Sequence, residues 1–460
     1  MKSTKLSLLA AAIVMAGCTM APHYTRPDAS VAAKYATPSK AGAVADISWQ
    51  KFYTEPHLQK LIGMTLENNR DLRVAVLNVE SARAQYQIQR ADLLPTLDAA
   101  AGGSVQRLPT DLSPTGQSGV SHAYSVGGAV ASYELDLFGR VQSLTNAALQ
   151  TYFTTDETRK AAQISLIAEV ANSWLTLQAD LELKRLTTET LKNQEASYKI
   201  VNAGYEAGTA SALDRSQAET QVRSAEANMA LYDRQVQRDI NALTLLVGAP
   251  IPADLVVSVP YKSIKLDDNL AAGLPSELLN RRPDIVAAEH RLEAANANIG
   301  AARAAFFPRI MLTASGGTAS ASLSGLFDAG SGAWSFGPSI SVPIFDFGRN
   351  KANLDVAKVS KQIEVAQYQK AIQSAFRDVS DALAGRDTYV RQGLAQDHLV
   401  QASALAYRLS DERYQEGVDQ YLNVLVNQRS LYDAQQELVK VRLARAQNTV
   451  GLYAALGGGW

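Results

Sequence analysis

The chain of 460 residues has a single cysteine, Cys18. A lone thiol cannot form an internal disulfide, and no other cysteine is present to build a metal cluster. The five histidines lie far apart, at positions 23, 57, 122, 290 and 398, without the spacing of a metal site. The sequence also lacks the HExxH, G-x-S-x-G and GxxxxGK motifs. We therefore predict that the protein is not an enzyme and holds neither a metal nor a cofactor.

Neither sign of charge dominates, because 44 Lys and Arg residues are balanced by 45 Asp and Glu residues. This balance gives no reason to expect a nucleic-acid partner. Apolar runs are short as well, and none reaches the roughly 18 residues of a membrane-spanning helix. Any insertion of the chain into a membrane must therefore use another kind of element.

The first 17 residues have the features of a secretory signal peptide. Two lysines precede an apolar stretch from Leu8 to Met15, which is followed by Ala16, Gly17 and Cys18. The sequence around Cys18 resembles the bacterial lipobox, and the resemblance implies that Cys18 is acylated and becomes the mature N-terminus. Thr19 in the next position implies sorting to the outer membrane. The alternative is an ordinary signal peptide with an incidental cysteine.

One short phrase occurs twice, as YELDLFGR at residues 133–140 and as IFDFGR at residues 344–349. Gly139 and Gly348 of the phrase are 209 positions apart, and Gly208 and Gly417 of a later Y-x-x-G motif have the same offset. Upstream, Leu-Leu-Pro at 93–95 matches Phe-Phe-Pro at 306–308 with an offset of 213. An ordered series of such matches indicates an internal duplication.

The duplication divides the chain into two repeats. We predict an extended arm (residues 18–57), repeat 1 (58–248), a proline-containing linker (249–273) and repeat 2 (274–460). Each repeat reads as a helix, a β-hairpin, a very long helix, a tight turn and a return helix.

The hairpins are predicted in two stretches rich in Gly, Ser, Thr and Ala, at residues 96–133 and 309–344. In the second stretch, apolar residues alternate with small or polar ones, as with Trp334 and Phe336 against Ser335 and Gly337. Period-two alternation of this kind is typical of a transmembrane barrel strand. Phenylalanines at positions 138, 306, 307, 345 and 347 would form an aromatic girdle. The alternative is the edge of a soluble sandwich.

A long helical pattern follows each phrase, from Arg140 to about Asn202 and from Asn350 to about Gln415. The first stretch has neither proline nor glycine, and the second has only two glycines. Apolar residues recur at coiled-coil spacing and are interpreted as a packing seam: Ile167, Val170, Trp174, Leu177 and Leu181.

Four strands per chain cannot close a barrel, and an open edge in lipid leaves backbone groups without hydrogen bonds. Several chains must therefore share one barrel. Three copies would give twelve strands and leave room for an aqueous bore. The predicted fold is a shared membrane β-barrel in a homotrimer, continued by a long α-helical coiled-coil barrel.

These motifs resemble those of the outer membrane efflux proteins of the TolC-like family, especially the lipid-anchored, OprM-like exit ducts of drug pumps. The resemblance extends to GLPSELLNRRPDI at 273–285, YQEG at 414–417 and LGGGW at 456–460. It implies a homotrimeric channel in the outer membrane, in contact with its lipid and extending into the periplasm. The partners that it implies are a periplasmic adaptor and an inner-membrane transporter of the RND type. The implied function is passive export of drugs and small amphiphiles.

The resemblance also implies a periplasmic gate just beyond the second turn. The candidate gate residues are Leu422, Asn423 and Val426, with Tyr414 before the turn and Asp214 and Gln217 in the first repeat. The acidic ring of many members is missing, because Asn423 and Val426 occupy its positions. Our hypothesis is an apolar collar of Leu422 and Val426, tied by Asp214 and Tyr414. The alternative is that Leu422 and Val426 are ordinary coiled-coil core.

By the same resemblance, the turns at Gly204, Gly208 and Gly417 meet the adaptor, although a sharp turn alone also favours glycine. Other functions stay open at this point. The chain could be an exit duct for type I protein secretion or for metal ions, or, in a different class, a periplasmic structural or binding lipoprotein.

Overall fold

The computed structural model describes residues 19–29, 31–32, 34–36, 47–111, 113, 116–260, 264, 266, 270, 275 and 278–460. The predicted signal peptide and the lipidation site Cys18 lie outside these described residues. Within them, no helix has the length and apolar character needed to cross a membrane. The chain forms two compact units: unit 1 (residues 1–28, 78–156 and 287–369) and unit 2 (residues 29–77, 157–286 and 370–460).

Helices make up most of the described chain. The α-helices are α1 (Trp49–Phe52), α2 (Pro56–Asn68), α3 (Arg70–Ala91), α4 (Arg140–Glu206), α5 (Ala212–Val247), α6 (Leu278–Arg281), α7 (Pro283–Ala304), α8 (Arg349–Gln415) and α9 (Tyr421–Ala455). The strands are β1 (Asp98–Leu108), β2 (Gly119–Glu134), β3 (Arg309–Ser320) and β4 (Gly332–Ser341). The predicted order of elements within each repeat is confirmed.

The duplication is visible in the element lengths. Helices α4 and α8 both have 67 residues, and their first residues differ in number by the offset of 209 found in the sequence. The return helices α5 and α9 have 36 and 35 residues. Each long helix therefore has a length of roughly 100 Å at 1.5 Å per residue, and this length is the same in the two repeats.

In unit 1, the four strands form one antiparallel sheet in the order β1-β2-β3-β4. Residues that oppose each other share a face, so Ala314 with Phe336 lies on one face and Ser315 with Ser335 on the other. The two serine hydroxyl oxygens are 2.7 Å apart. The predicted alternation is therefore confirmed, with one apolar face and one face of small and polar residues. Within the described residues, β1 and β4 each have one edge without a partner strand.

The two hairpins meet where β2 pairs with β3, and two glycines oppose each other at this place. In the register, Gly127 lies opposite Gly317. A Cβ on Gly127 would collide with the carbonyl oxygen of Gly316, and a Cβ on Gly317 would collide with that of Val126. The neighbouring Gly316 has open space at its Cβ position. Close approach of the two backbones therefore requires glycine at 127 and at 317, but not at 316.

A short loop joins each hairpin to its long helix, and an aspartate in the loop accepts hydrogen bonds from the start of the helix. Asp136 accepts from the Arg140 backbone N–H at 2.6 Å, and Asp346 from that of Asn350 at 2.9 Å. The second copy of the motif is one residue shorter, reading DFGR where the first reads DLFGR. Its Phe347 has a φ of 54°. A non-glycine residue in this region costs roughly 1–2 kcal/mol.

The phenylalanines predicted to form a girdle lie near the same ends of the strands: Phe138, Phe345 and Phe347 are in these loops, and Phe306 and Phe307 are between α7 and β3. Phe138 stacks on Phe307 with ring centroids 4.8 Å apart, and Phe345 contacts Phe347 at 4.5 Å. The rings of Phe345 and Phe347 remain 77% and 90% exposed. Exposed aromatic rings at the end of a membrane strand fit the boundary between lipid and water.

The N-terminal segment (residues 19–28) packs on α7 within unit 1. Arg26 forms two hydrogen bonds with the Glu289 carboxylate, Nε to Oε1 at 2.7 Å and Nη2 to Oε2 at 2.6 Å. Asn296 donates to the carbonyl oxygen of Pro22 at 2.7 Å. At Gly300, a Cβ would approach the Ala21 nitrogen to 2.6 Å. The absence of a side chain on α7 thus makes room for the segment.

The prediction of an extended arm over residues 18–57 is wrong at its C-terminal end. Helix α1 begins at Trp49, and α2 begins at Pro56. Phe52 and Tyr53 are only 2% and 1% exposed. The ring of Phe52 stacks on Tyr453 with centroids 3.9 Å apart. Burial of these aromatic rings, which proline content does not reveal, draws this part of the arm into the core of unit 2.

The prediction of a single helix at the start of each repeat is also wrong, since in repeat 1 the helix is broken at Asn69 into α2 and α3. The Asn69 side chain accepts from the Leu72 backbone N–H at 2.8 Å, which caps α3, and donates to the Leu246 carbonyl at 2.7 Å. Repeat 2 breaks at the matching Arg282, whose Nη1 donates to the Ala455 carbonyl at 3.2 Å. In both repeats the break therefore satisfies an open carbonyl at the end of the return helix.

The packing seam of α4 lies in the core of unit 2. Ile167, Val170, Trp174 and Leu177 are at most 2% exposed, whereas Leu181 is half-buried. The predicted linker packs here too, since Gln178 of α4 exchanges hydrogen bonds with the backbone of Val257 and Val259 at 3.1 and 2.8 Å. These stripes are packing surfaces, as the heptad spacing predicted.

We predict that Gly317→Ala strongly reduces the amount of assembled barrel, whereas Gly316→Ala leaves it unchanged. The added methyl at 317 collides with backbone that cannot move aside, and overpacking of this kind costs about 1–3 kcal/mol. The measurement is the ratio of heat-resistant oligomer to monomer in outer-membrane fractions. Equal ratios for the two variants would show that the β2–β3 contact tolerates a side chain.

Candidate functional site

The candidate site is formed by the two turns that reverse the long helices, both in unit 2. In repeat 1, Gly208 has a φ of 80°, and the Thr209 N–H donates to the Gly204 carbonyl at 2.7 Å. In repeat 2, Gly417 has a φ of 73°, and the Val418 N–H donates to the Arg413 carbonyl at 2.9 Å. Both turns are Schellman motifs, which need a left-handed residue after the helix.

Gly204 does not supply the left-handed conformation that a sharp turn favours. It lies inside the last turn of α4 and does not have a positive φ. Its carbonyl accepts the bond that closes the motif, a role that any residue can fill, and the matching residue of repeat 2 is Arg413. A Cβ at 204 would lie 3.2 Å from the Thr209 hydroxyl oxygen. The glycine therefore allows close contact and does not make the turn.

The return helices begin in different ways. At the start of α5, Ser211 and Asp214 form a capping box, with the Ser211 hydroxyl donating to the Asp214 carboxylate at 2.6 Å. At the start of α9, Gln420 makes no side-chain cap. An exposed ion pair between Arg413 and Asp419 at 2.6 Å connects the end of α8 to the turn and lowers the pKa of the Asp419 carboxyl. Repeat 1 is thus held by a capping box at the start of α5, and repeat 2 by an ion pair across the turn.

Three of the candidate gate residues lie on the exposed face of α9, namely Leu422, Asn423 and Val426. Tyr421, Val424 and Leu425 are buried against Val201 and Ala218. In contrast, Leu422 and Val426 are 47% and 55% exposed, and Asn423 is exposed as well. Leu422 and Val426 are therefore not part of the core within a single chain. They form an uncovered apolar stripe one turn of helix long.

Tyr414 is brought close to Asp214, as the hypothesis requires. The Tyr414 ring packs on Tyr421 with centroids 5.2 Å apart. Burial raises the pKa of its hydroxyl, and the carboxylates of Asp214 and Asp411 raise it further. The Asp214 carboxylate, however, accepts hydrogen bonds from both the hydroxyl and the backbone N–H of Ser211. Asp214 therefore caps its own helix in addition to any role in the gate.

Gln217, the counterpart of Val426, is half-buried one turn beyond Asp214. Sequence reasoning missed the roles of Ser211, Arg413 and Asp419. The capping box could have been found, because Ser-x-x-Asp before a helical stretch is a variant of a known N-terminal signal. The Arg413–Asp419 pair could not, because it spans a turn whose geometry the sequence does not state.

Chemistry at these turns is limited to packing, hydrogen bonds and charge. Across the described part of the chain, no group of three or more His, Cys, Asp or Glu residues could hold a metal ion. The site presents apolar and charged surfaces on two narrow helix ends, an arrangement suited to contacts with other proteins or to a constriction.

Comparison with known proteins gives consistent matches. The pattern of the outer membrane efflux protein family matches residues 61–249 and 274–458. The antibiotic efflux pump outer membrane protein ArpC of Pseudomonas putida is 50% identical over 100% of this chain and 96% of its own. The solvent efflux pump outer membrane protein SrpC, also of Pseudomonas putida, is 48% identical over 98% and 97%. The open state of the MtrE outer membrane channel of Neisseria gonorrhoeae aligns with a TM-score of 0.89 and 45% identity, covering 96% of this chain and 98% of that chain.

We predict that Gly208→Ala and Gly417→Ala each destabilise the hairpin by about 1–2 kcal/mol, because the new side chain must adopt a left-handed conformation. Gly204→Ala is the matched control and should have a much smaller effect. The measurement is the midpoint of thermal loss of helical circular dichroism. If Gly204→Ala lowered the midpoint as much as Gly208→Ala, the assignment of Gly208 as the left-handed residue of the Schellman motif would be contradicted.

Proposed function

Because this chain belongs to the outer membrane efflux protein family, we propose that it is the passive exit duct through which a tripartite pump expels drugs and other small amphiphiles. The duct lies in the outer membrane, and its partners are a periplasmic adaptor and an inner-membrane transporter. Two features carry the proposal: a sheet with one polar face and two open edges, and the pairs of very long helices that follow it.

The open edges of the sheet are closed by other copies of the chain. The similar solved chain is described as an outer membrane channel, and we propose that three copies of this chain form one barrel continued by a helical tunnel. Four strands from each of three chains give twelve, within the range of outer-membrane barrels. The face with Ser315 and Ser335 then suits the water-filled interior, and the face with Trp334 and Phe336 suits the lipid.

The cargo follows from the relatives and not from a binding site in this chain. The similar proteins are described as pumping antibiotics and solvents. Protein secretion and metal export are the alternative cargoes. We propose apolar and amphiphilic small molecules as the cargo and a transporter of the RND type as the energy source. We assign the chain itself no catalytic activity.

We further propose that Cys18 is acylated and anchors the protein at the foot of the sheet. The Thr19 hydroxyl oxygen lies 3.2 Å from that of Ser143, which is in the first turn of α4, near the end of β2. Thr19, the residue that follows Cys18 in the sequence, is thus held beside the loop between β2 and α4. This position supports a lipid that inserts beside the barrel and does not act as a distant tether.

The turns at Gly208 and Gly417 are our candidates for the adaptor contact. Each turn is fixed by its Schellman bonds and leaves apolar side chains uncovered beside it. Leu213 is 65% exposed next to the first turn, and Val418 is 62% exposed next to the second. Exposed apolar residues on a rigid helix end favour docking of another protein.

For the gate, we propose the collar of Leu422 and Val426. Both side chains point away from the core of their own hairpin, and Asn423 beside them adds no charge. In a trimer, three such stripes can meet and exclude water and ions, because an apolar constriction gates by dewetting. The exposed Arg413–Asp419 pair then holds the helix that carries the collar.

We predict that Leu422→Ala combined with Val426→Ala raises the conductance of the purified trimer in planar bilayers severalfold, because the collar loses most of its apolar volume. The wild-type channel should be mostly closed. Arg429→Ala, exposed on the same helix, is the control and should conduct like the wild type. Unchanged conductance of the double variant would rule out the collar, and a monomeric protein without conductance would overturn the proposed duct.

A second prediction separates the two roles of Asp214. If Asp214 holds the gate through Tyr414, Asp214→Asn and Tyr414→Phe should raise the conductance to a similar extent. Ser211→Ala removes the cap but leaves the Asp214 charge, so it should lower thermal stability, by about 1 kcal/mol, without opening the channel. A conductance increase in Ser211→Ala equal to that in Asp214→Asn would assign Asp214 to capping alone.

A further inference from the structure

Two acidic side chains contact each other between the long helix and the return helix of repeat 1. Asp180 of α4 and Asp239 of α5 join their carboxyl groups by a hydrogen bond, and both residues are half-buried. Asp180 lies 26 residues before the end of α4, and Asp239 lies 27 residues after the start of α5. The contact, which we call the carboxyl pair, is therefore in register across the hairpin, roughly 40 Å from the turn.

The carboxyl pair cannot readily hold two negative charges. Burial raises the pKa of both groups, and the neighbouring Asp180 helps to raise that of Asp239 to about 7. The Oδ2 atom of Asp239 is buried, and no N–H or O–H group of the described residues donates to it. An ionised Asp239 would thus be next to another carboxylate with part of its charge unsolvated, which is costly. The protonated form donates a hydrogen bond to Asp180.

The surroundings do not neutralise the pair. A cavity of about 430 Å³ adjoins Asp239, and its other lining residues are Ser165, Ala168, Glu169, Asn172, Ser173, Thr176 and Ala242. Glu169 adds a further acid there, and no lining residue is basic. On the side of the turn, Lys184 of α4 is engaged with Asp233 of α5 at 2.7 Å. The Tyr232 hydroxyl near Asp180 accepts from Gln436 of α9 at 2.9 Å.

Repeat 2 provides an internal comparison. With the offset of 209, Asp180 corresponds to Tyr389 and Asp239 to Asn448. The Asn448 side chain donates to the Ala382 carbonyl at 2.9 Å and fits against Gly385, where a Cβ would collide with its oxygen. Repeat 2 thus joins α8 and α9 with an amide that cannot ionise. Thr176, the counterpart of Gly385, lines the cavity beside Asp239 in repeat 1.

We propose that the carboxyl pair is a proton-dependent contact that holds α4 and α5 together in acid and releases them near neutral pH. The adjoining cavity gives the ionised side chains a place to take up water when the helices separate. The packing of α4 against α5, the helix pair joined by the turn at Gly208, then becomes looser as the pH rises. The packing of α8 against α9 does not change in this way, because Asn448 at the matching position cannot ionise. The inference concerns the packing of two helices and does not depend on which molecules the duct carries.

The direction of the pH effect follows from proton linkage. The unfolded or opened form has an ordinary aspartate, which ionises near pH 4. The packed form keeps its proton until about pH 7. The packed form therefore binds more protons over this interval, and its stability falls as the pH rises from about 4 to about 7 and is constant above.

The test is hydrogen exchange of the full-length trimer in detergent, followed by mass spectrometry of peptides around residues 180 and 239. We expect the protection factor, which is normalised for intrinsic exchange, to fall by up to about tenfold per pH unit between about pH 5 and about pH 7. In Asp239→Asn it should stay constant, because the amide donates to Asp180 at every pH. In Asp180→Asn the fall should move to lower pH, because Asp239 loses its charged neighbour.

Asp233→Asn is the matched control, six residues away on the same helix. It removes the ion pair with Lys184 but leaves the carboxyl pair, so the pH dependence should persist. Peptides around residue 448 provide a second control within the same protein and should not show the fall. The proposal is overturned if the wild type and Asp239→Asn have the same pH profile, or if Asp233→Asn abolishes it.

Discussion

The need to hydrogen-bond every backbone group of the sheet governs this structure. A chain with four antiparallel strands satisfies the groups between β1 and β2, β2 and β3, and β3 and β4, but leaves two edges open. In water an open edge risks aggregation, and in lipid it is costly because no solvent can replace the missing partner. Closure by further copies of the same chain removes both edges at once. Assembly with further copies is therefore a requirement of the sheet, and none of the residues in its four described strands is buried in a single chain.

A second requirement is that the shared barrel be continued by helices of matched length, and the internal duplication meets it. Because α4 and α8 each have 67 residues, the two long helices have the same length. The other ends of the hairpins are also closed alike. Gly248 and Gly457 both have positive φ, and a Cβ at either would approach the backbone at the helix break, the Asn68 carbonyl in one repeat and that of Arg281 in the other. The duplicated contacts fix where each return helix stops.

Much of this architecture was predictable, because periodicity and duplication are properties of the sequence itself. The strands, the long helices and the turn glycines at 208 and 417 follow from period two, from heptad spacing and from the offset of 209. The break at Asn69 was not predictable, since asparagine is tolerated in helices and its partner, the Leu246 carbonyl, is 177 residues away. Gly204 misled for a related reason: a glycine near a turn suggests a positive φ, and only the mismatch with Arg413 in the other repeat argues against it. Within the candidate site, the exposure of Leu422 and Val426 depends on which face of α9 packs on α4, which the weak amphipathicity of α9 leaves open.

The two repeats have diverged in how their helix pairs are fastened, and this difference gives the duplicated fold two kinds of hairpin. In repeat 1, the turn is closed by a capping box, while the contact far from the turn is a pair of acids that need a proton. In repeat 2, the far contact is a neutral amide seated on Gly385, while the turn relies on the exposed Arg413–Asp419 pair. An exposed ion pair is weakened by salt, whereas a buried pair of carboxyl groups responds to pH. The labile contact of repeat 2 thus lies next to Leu422 and Val426, and that of repeat 1 lies far from its turn. Two helix pairs of one ancestry can then respond to different conditions, with the response near the proposed gate confined to the second repeat.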